Sequence, residues 1–337
     1  MTLRQAQGER GAVGVIGAGA WGTALAQMLS GDGRDVLIWA YEAELVEAIN
    51  TDHRNPLYLP GATLNPSVRA TGDLADFAAI DIALGVTPAQ VLGAILERLS
   101  HAPSDLVLCS KGIEAGTGRL MNEVARSACP GSAVAVLSGP TFAHEVAAGL
   151  PTAVTLACSG GEEQWARLSP AIARATFRPY YSDDVTGAEI GGAIKNVLAI
   201  ACGVVEGLGL GQNARAALIA RGMAEMLRFG TALGARAETL SGLCGMGDLV
   251  LTCTSTSSRN FSLGKALGEG ANAAELMADR RTVAEGAHTA PVLAALAQER
   301  AIRMPITAGV NAILEGAAPQ RVVADLLARP LKPEREG

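Results

Sequence analysis

The sequence predicts an α/β unit built on a doubly wound parallel sheet, followed by an all-α unit. Three observations carry that expectation. Short apolar runs alternate with helical periodicities up to about Asp184. They lack the polar alternation of a sheet with one wet face, so the strands are expected to be parallel and covered on both sides. The first apolar run ends in a glycine turn, Gly17-Ala18-Gly19-Ala20-Trp21-Gly22, that opens directly into a helical pattern. Beyond Asp184 the strand signals stop, and long Ala/Leu/Met/Glu/Arg stretches take over.

Taken in order, Ala12-Val13-Gly14-Val15-Ile16 reads as a buried strand, and Ala24, Leu25, Met28 and Leu29 give the helix after it an apolar face. Strand, G-x-G-x-x-G turn and helix in that order form a dinucleotide-binding fingerprint of the Rossmann type. Gly17 permits the tight turn, Gly19 lets backbone amides approach a pyrophosphate, and Gly22 lets helix and strand pack closely. Strands are expected at 36–39, 79–86, 106–109, 133–137 and 153–157, and helices at 42–50, 88–99, 119–128 and 162–173. The stretch carrying His53, Pro56, Pro60 and Gly61 reads as a loop. Helices are then expected at 188–207, 213–233, 260–278, 289–300, 305–315 and 319–328. The chain thus divides into a loose polar extension at 1–10, a dinucleotide-binding domain at 11–185, an all-helical domain at 186–330 and a tail at 331–337.

Composition narrows the function classes. A length of 337 residues suits two domains, each with its own core. The net charge of −6 and the absence of a basic run argue against a nucleic-acid partner or an anionic membrane surface. Arg4 and Arg10 precede an uncharged run at 11–29, but its glycine and alanine content reads better as strand, turn and helix than as a leader or a membrane segment. The six cysteines (Cys109, Cys129, Cys158, Cys202, Cys244 and Cys253) form no C-x-x-C pair and are expected as reduced thiols in the cytoplasm. His53, His101, His144 and His288 are scattered, so no metal site is expected.

Five places carry candidate chemistry. Glu42 follows the second strand at the distance where an acid accepts from an adenosine ribose, which favours NAD. It reads equally as an acid at a helix N-terminus, and Arg54 stands near enough to reach a phosphate. Lys195 interrupts an apolar helix and lies off the stripe Ile190, Ile194, Val197 and Ala201, among the small residues Gly191, Gly192, Ala199 and Cys202. On spacing alone it reads as a snorkelling surface lysine; in a cleft its pKa would fall and it would transfer protons. The stretch from Gly245 through Asp248 to Arg259-Asn260 reads as a loop leading into a helix start. It suits either a bound phosphate held by Arg259 or a simple Ser258 N-cap. Ser110-Lys111-Gly112 and Ser138-Gly139-Pro140-Thr141-Phe142-Ala143 follow strands at the sheet edge where such folds bind ligands.

Together these segments resemble bacterial NAD(P)-dependent glycerol-3-phosphate dehydrogenases. The resemblance runs from Val15-Ile16-Gly17-Ala18-Gly19-Ala20-Trp21-Gly22 through Tyr58-Leu59-Pro60, Ser110-Lys111-Gly112 and Ser138-Gly139-Pro140-Thr141 to Lys195-Asn196-Val197. It continues in Gly247-Asp248-Leu249, Thr252-Cys253-Thr254, Ser258-Arg259-Asn260, Val283-Ala284-Glu285-Gly286 and Met304-Pro305-Ile306. It implies reversible reduction of dihydroxyacetone phosphate to sn-glycerol 3-phosphate for glycerophospholipid synthesis, using NAD or NADP; the apolar composition of the helical domain, apart from the resemblance, suggests a homodimer. The resemblance makes Lys195 the catalytic acid/base. It places Lys111, Gly139, Thr141, Lys195, Asp248, Ser258, Arg259 and Asn260 at the substrate. It places Gly17, Gly19, Ala20, Trp21, Gly22, Tyr41, Glu42, Tyr58, Lys111, Ala143, Arg259, Val283 and Glu285 at the cofactor. Two departures bear on the cofactor: Ala20 stands where many members carry serine, and Tyr41-Glu42 where many carry His or Arg.

Overall fold

The computed structural model describes residues 12–278, 284–331 and 333. The expected extension at 1–10, Val283 and all of the expected tail but 331 and 333 lie outside the described residues. Two compact units emerge. The first comprises Met1–Ser110 and Met121–Val185, the second Lys111–Leu120 and Thr186–Gly337.

In the first unit, β1 (Val13–Ile16) runs into α1 (Ala20–Leu29), then β2 (Val36–Trp39) and α2 (Ala43–Asp52). A small antiparallel pair, β3 (Arg54–Asn55) and β4 (Leu59–Thr63), precedes β5 (Val68–Thr71). β6 (Ile82–Gly85), α3 (Ala89–Leu96), β7 (Asp105–Leu108), α4 (Met121–Ala128), β8 (Ala133–Ser138), α5 (Ala143–Ala147), β9 (Thr152–Cys158), α6 (Gly161–Ile172) and β10 (Phe177–Ser182) complete it. The eight-stranded sheet has the order β10-β9-β8-β7-β6-β1-β2-β5. Ile16 at the end of β1 pairs with Trp39 on one side and Gly85 on the other. The strand order reverses at β1, which is the crevice where doubly wound folds bind ligands. Val15, Leu25, Leu29, Ile38, Leu45, Ile49 and Leu84 are wholly buried around it, each side chain stabilising the fold by roughly 1.5–3 kcal/mol.

The sheet departs from the all-parallel expectation at one pair, because β9 runs antiparallel to β8. The connection between them holds only the short α5, which packs on α1 and so does not serve as a crossover helix. Both sheet edges escaped the sequence pattern. β10 carries Pro179, which only an edge strand tolerates, and β5 is four residues long with Arg69 exposed. The pair β3 and β4 was hidden by the prolines that made it read as a loop.

The second unit is helical. Its elements are α7 (Val185–Gly207), α8 (Gly211–Ala232), α9 (Ala237–Leu240), a π-helical turn at Leu243–Gly247, α10 (Asp248–Cys253), α11 (Arg259–Gly268), α12 (Ala273–Ala278), α13 (Glu285–Glu299), α14 (Pro305–Leu314) and α15 (Pro319–Leu327). α7 is long and apolar enough to cross a membrane, and its most apolar 18 residues are entirely buried within the protein. It crosses α11 through four glycines. A Cβ on Gly203 would lie 2.1 Å from Phe261 O, and one on Gly264 would lie 2.0 Å from Ile200 O. Gly207 and Gly268 repeat the contact one turn further on. The single helix expected at 260–278 is two helices. Gly270 takes a left-handed φ of 98°, and Ala271 N donates back to Ala266 O, which ends α11. Residues 111–120 belong to this unit as a small hairpin closed by the Ile113–Leu120 bridge, and both side chains enter its core. The start of α14 is held by the buried Glu225 carboxylate, which accepts from Ile306 N at 2.6 Å, Thr307 N at 3.2 Å and Thr307 Oγ1 at 3.1 Å.

Candidate active site

In the first unit the three fingerprint glycines answer to three different demands. Gly17 has φ +118°, which disfavours any side chain. A Cβ on Gly22 would lie 1.8 Å from Gly17 O, so helix and turn can meet only through a glycine. Gly19 meets nothing within 4 Å, so the space its side chain would occupy is open. No side chain caps α1 and no acid occupies its first turn, which leaves its leading amides to a ligand. Three buried polar atoms around this turn and the strand ends have no partner among the described residues: Trp21 Nε1, Thr87 Oγ1 and Ser138 Oγ. Thr87 follows β6 and its Cγ2 lies 3.2 Å from where a Gly17 Cβ would be, while Ser138 ends β8. Open space, free amides and unpartnered hydroxyls fit a dinucleotide laid across the switch point.

The side chains after β2 are tied together. Tyr58 Oη donates to Glu42 Oε1 at 2.7 Å. Tyr58 N donates to Asn55 Oδ1 at 3.0 Å, and the buried Asn55 Nδ2 donates to Ala18 O and Thr23 Oγ1, each at 2.8 Å. Glu42 stands at the N-cap of α2, as its alternative reading as a helix-start acid expects, but its carboxylate accepts no hydrogen bond from the amides of that helix. Tyr41 is exposed, its ring edge-on to Trp39 with centroids 6.4 Å apart. Gly139 is required by packing, because a Cβ there would lie 2.9 Å from Val154 Cα. Thr141 Oγ1 donates to Gly139 O at 3.3 Å, and Ala143 opens α5 against the core.

In the second unit a carboxylate sits between two lysines. Asp248 has no exposed surface. Its Oδ2 accepts from Lys111 Nζ at 2.7 Å, and its Oδ1 accepts from Lys195 Nζ. Lys195 Nζ also donates to Thr252 Oγ1 at 3.1 Å, and that hydroxyl donates to Asp248 Oδ1 at 3.2 Å. Thr252 was not foreseen as a site residue. Because 245–260 read as a loop, the i, i+4 spacing that puts Asp248 and Thr252 on one face of α10 had no helix to act on. Lys195 does not snorkel: α7 is buried on every side, and Lys195 is 5 % exposed. The space beside it is filled by the protein's own backbone. A Cβ on Gly191, one turn earlier, would lie 2.5 Å from Cys244 O, so glycine there lets the π-helical turn approach α7 and carries Asp248 to the lysine.

The charges are unequal. Burial pushes the pKa of Lys195 down to about 7, the neighbouring Lys111 ammonium adds to the fall, and Asp248 opposes it. For Lys111 burial acts downward, but the attraction of Asp248 outweighs it and holds the group above its ordinary value. One carboxylate therefore retains the Lys111 charge and leaves Lys195 free to titrate. Burial, with Cys202 alongside, pushes the Cys253 thiol well up, so it is not a thiolate nucleophile.

The remaining candidates of this unit lie at the starts of α11 and α13. Ser258 Oγ accepts from Phe261 N at 3.2 Å and is the N-cap of α11. Arg259 is exposed in the first turn of α11 and makes no ion pair among the described residues. Asn260 is buried, with Nδ2 donating to Asn196 Oδ1 at 3.1 Å and Oδ1 accepting from Gly286 N at 2.9 Å. Glu285 opens α13 and acts electrostatically on Lys111.

Comparison with known proteins agrees with this architecture. The profile of the N-terminus of NAD-dependent glycerol-3-phosphate dehydrogenase matches residues 12–164, and that of its C-terminus matches 184–324. A glycerol-3-phosphate dehydrogenase [NAD(P)+] of Novosphingobium aromaticivorans is 73 % identical over 323 residues, covering 96 % of this chain and 98 % of the relative. Its namesake from Erythrobacter litoralis is 71 % identical over 324 residues, with the same two coverages. The crystal structure of glycerol-3-phosphate dehydrogenase from Coxiella burnetii superposes with a TM-score of 0.90 at 40 % identity, covering 95 % of this chain and 99 % of that one. With a dinucleotide fingerprint on the sheet and a lysine–aspartate–lysine group in the second unit, the chain belongs to the NAD-dependent glycerol-3-phosphate dehydrogenase family.

Proposed function

We propose that the chain catalyses the reversible, NAD(P)H-dependent reduction of dihydroxyacetone phosphate to sn-glycerol 3-phosphate, with Lys195 as the proton donor. The buried group of Lys111, Asp248, Lys195 and Thr252 is the observation that supports this assignment. When bound, the nicotinamide supplies the hydride for C2 of the ketone. Negative charge then grows on the C2 oxygen, and Lys195 Nζ donates a proton there. A positioned acid of this kind accounts for on the order of 10²–10⁴-fold in rate. Asp248 and Thr252 fix the ammonium by hydrogen bonds. Lys111, kept charged by Asp248, adds a constant positive field beside the substrate oxygens.

Arg259, exposed beside the leading amides of α11, takes the substrate phosphate in a bidentate grip. Ser258 shapes that helix start by capping it, and Asn260 orients the substrate from a buried position. Gly19, Ala20 and Trp21 face the dinucleotide at the turn, with Tyr41, Glu42 and Tyr58 at its ribose. The product serves as the backbone of glycerophospholipids. Six free, buried cysteines suit a cytoplasmic enzyme. The exposed apolar side chains Leu210, Val250 and Leu327 favour a homodimer, and a monomer mass by light scattering at working concentration would dismiss it.

The experiment is a spectrophotometric assay of reduced-cofactor consumption with dihydroxyacetone phosphate, set against unphosphorylated dihydroxyacetone. Turnover is expected only with the phosphorylated ketone. Arg259→Ala should raise KM for it with little change in kcat, and an unchanged KM would remove Arg259 from the phosphate.

A further inference from the structure

We propose that this chain is built for the dinucleotide that lacks a 2′-phosphate, and that Glu42, held in place by Tyr58, makes the discrimination. The inference rests on the dehydrogenase reading above. β2 ends at Trp39, level with the end of β1, and Gly17 N donates to Trp39 O at 3.1 Å. The chain leaving β2 therefore starts beside the glycine turn, and Glu42 follows the third glycine by the spacing at which an acid meets the adenosine ribose.

Three observations turn that spacing into a position. The Glu42 carboxylate is not consumed by its own helix start. One of its oxygens accepts from Tyr58, whose backbone amide is bonded to Asn55, which in turn is bonded to the carbonyl of Ala18 inside the glycine turn. The second oxygen, Oε2, has no hydrogen-bond partner among the described residues and is available to ribose hydroxyls, which are donors. A 2′-phosphate offers that carboxylate no donor and sets a near-dianion against it. The neighbouring side chain, Tyr41, brings a ring and no cation. Arg54 is the one competing cation in the segment, exposed on β3.

The test is binding of NADH and NADPH to the intact protein, followed by nicotinamide fluorescence. Competition by ADP-ribose and by its 2′-phosphorylated form isolates the phosphate from the nicotinamide. The wild type should bind NADH roughly tenfold or more tighter than NADPH. Glu42→Gln should close that gap mainly by tightening NADPH, and Tyr58→Phe should narrow it by weakening NADH. Equal wild-type affinities, an unchanged ratio in Glu42→Gln, or tight NADPH binding lost in Arg54→Ala would each overturn the inference. Unselective binding with intact turnover of dihydroxyacetone phosphate would leave the enzymatic reading standing. A folded protein that binds neither dinucleotide would overturn both.

Discussion

Asp248 holds two lysines, and removing either one should have a different consequence. Lys195→Met deletes the titrating member and leaves Lys111 and Asp248 as a neutral pair. Turnover should fall by on the order of 10²–10⁴-fold while the melting temperature stays close to wild type. Steady-state rates and a thermal melt on one preparation would check both halves. The direction of pH dependence follows from the same group. With its pKa near 7, Lys195, the proposed proton donor, is protonated below that value and neutral above it. The rate of reduction should therefore decline as pH rises through about 7, and that of glycerol 3-phosphate oxidation, which needs the neutral amine, should climb through the same range. The position of Lys195 was not legible from its own helix. A helical wheel assumes one wet face, whereas α7 is wrapped on all sides, so a lysine off the apolar stripe is buried as deeply as the stripe itself. Ser258 was legible as a cap because capping is local, involving only the amide three residues on.

Helix packing decides where these side chains lie, and it depends on small residues at crossings. The α7–α11 contact brings backbone against backbone at Gly203, Gly207, Gly264 and Gly268. Gly264→Ala should destabilise the protein by about 1–3 kcal/mol through overpacking against Ile200 O, read as a lowered denaturation midpoint. Gly31→Ala is the matched control, since a Cβ there meets nothing within 4 Å, and its midpoint should be unchanged. At this scale the central strands and long helices could be read in advance, for periodicity is a property of the segment itself. What could not be read are features set by partners. β9 is antiparallel because of what α5 packs against, β10 is a strand despite Pro179 because it lies on an edge, and α10 is a helix in a stretch whose composition is that of a loop.

Across the whole chain, two units with separate cores share one interruption. The sequence pattern placed 111–120 with the sheet, since it lies between two strands of that sheet, but its Ile113 and Leu120 are buried among the helices. A fragment of residues 186–337 alone would lack both side chains and Lys111, leaving Asp248 with Lys195 as its remaining lysine. Such a fragment should show helical circular dichroism without a sharp cooperative melt, and a cooperative transition matching the full chain would contradict the shared core. The full chain should also gain about 2.7 kcal/mol of stability at a cofactor concentration one hundred times Kd, measurable as a shift in melting temperature.

The 111–120 hairpin also sets a timetable for synthesis. Lys111 and its carboxylate are separated by 137 residues. At about 5–20 residues per second, the lysine leaves the ribosome on the order of ten seconds before Asp248 exists. During that interval the strands on either side of the hairpin can begin to pair, while Ile113 and Leu120 remain without the helices that will cover them. The nascent chain thus carries an uncovered apolar loop through the middle of its own translation, a window in which chaperones and the rate of elongation can act on it.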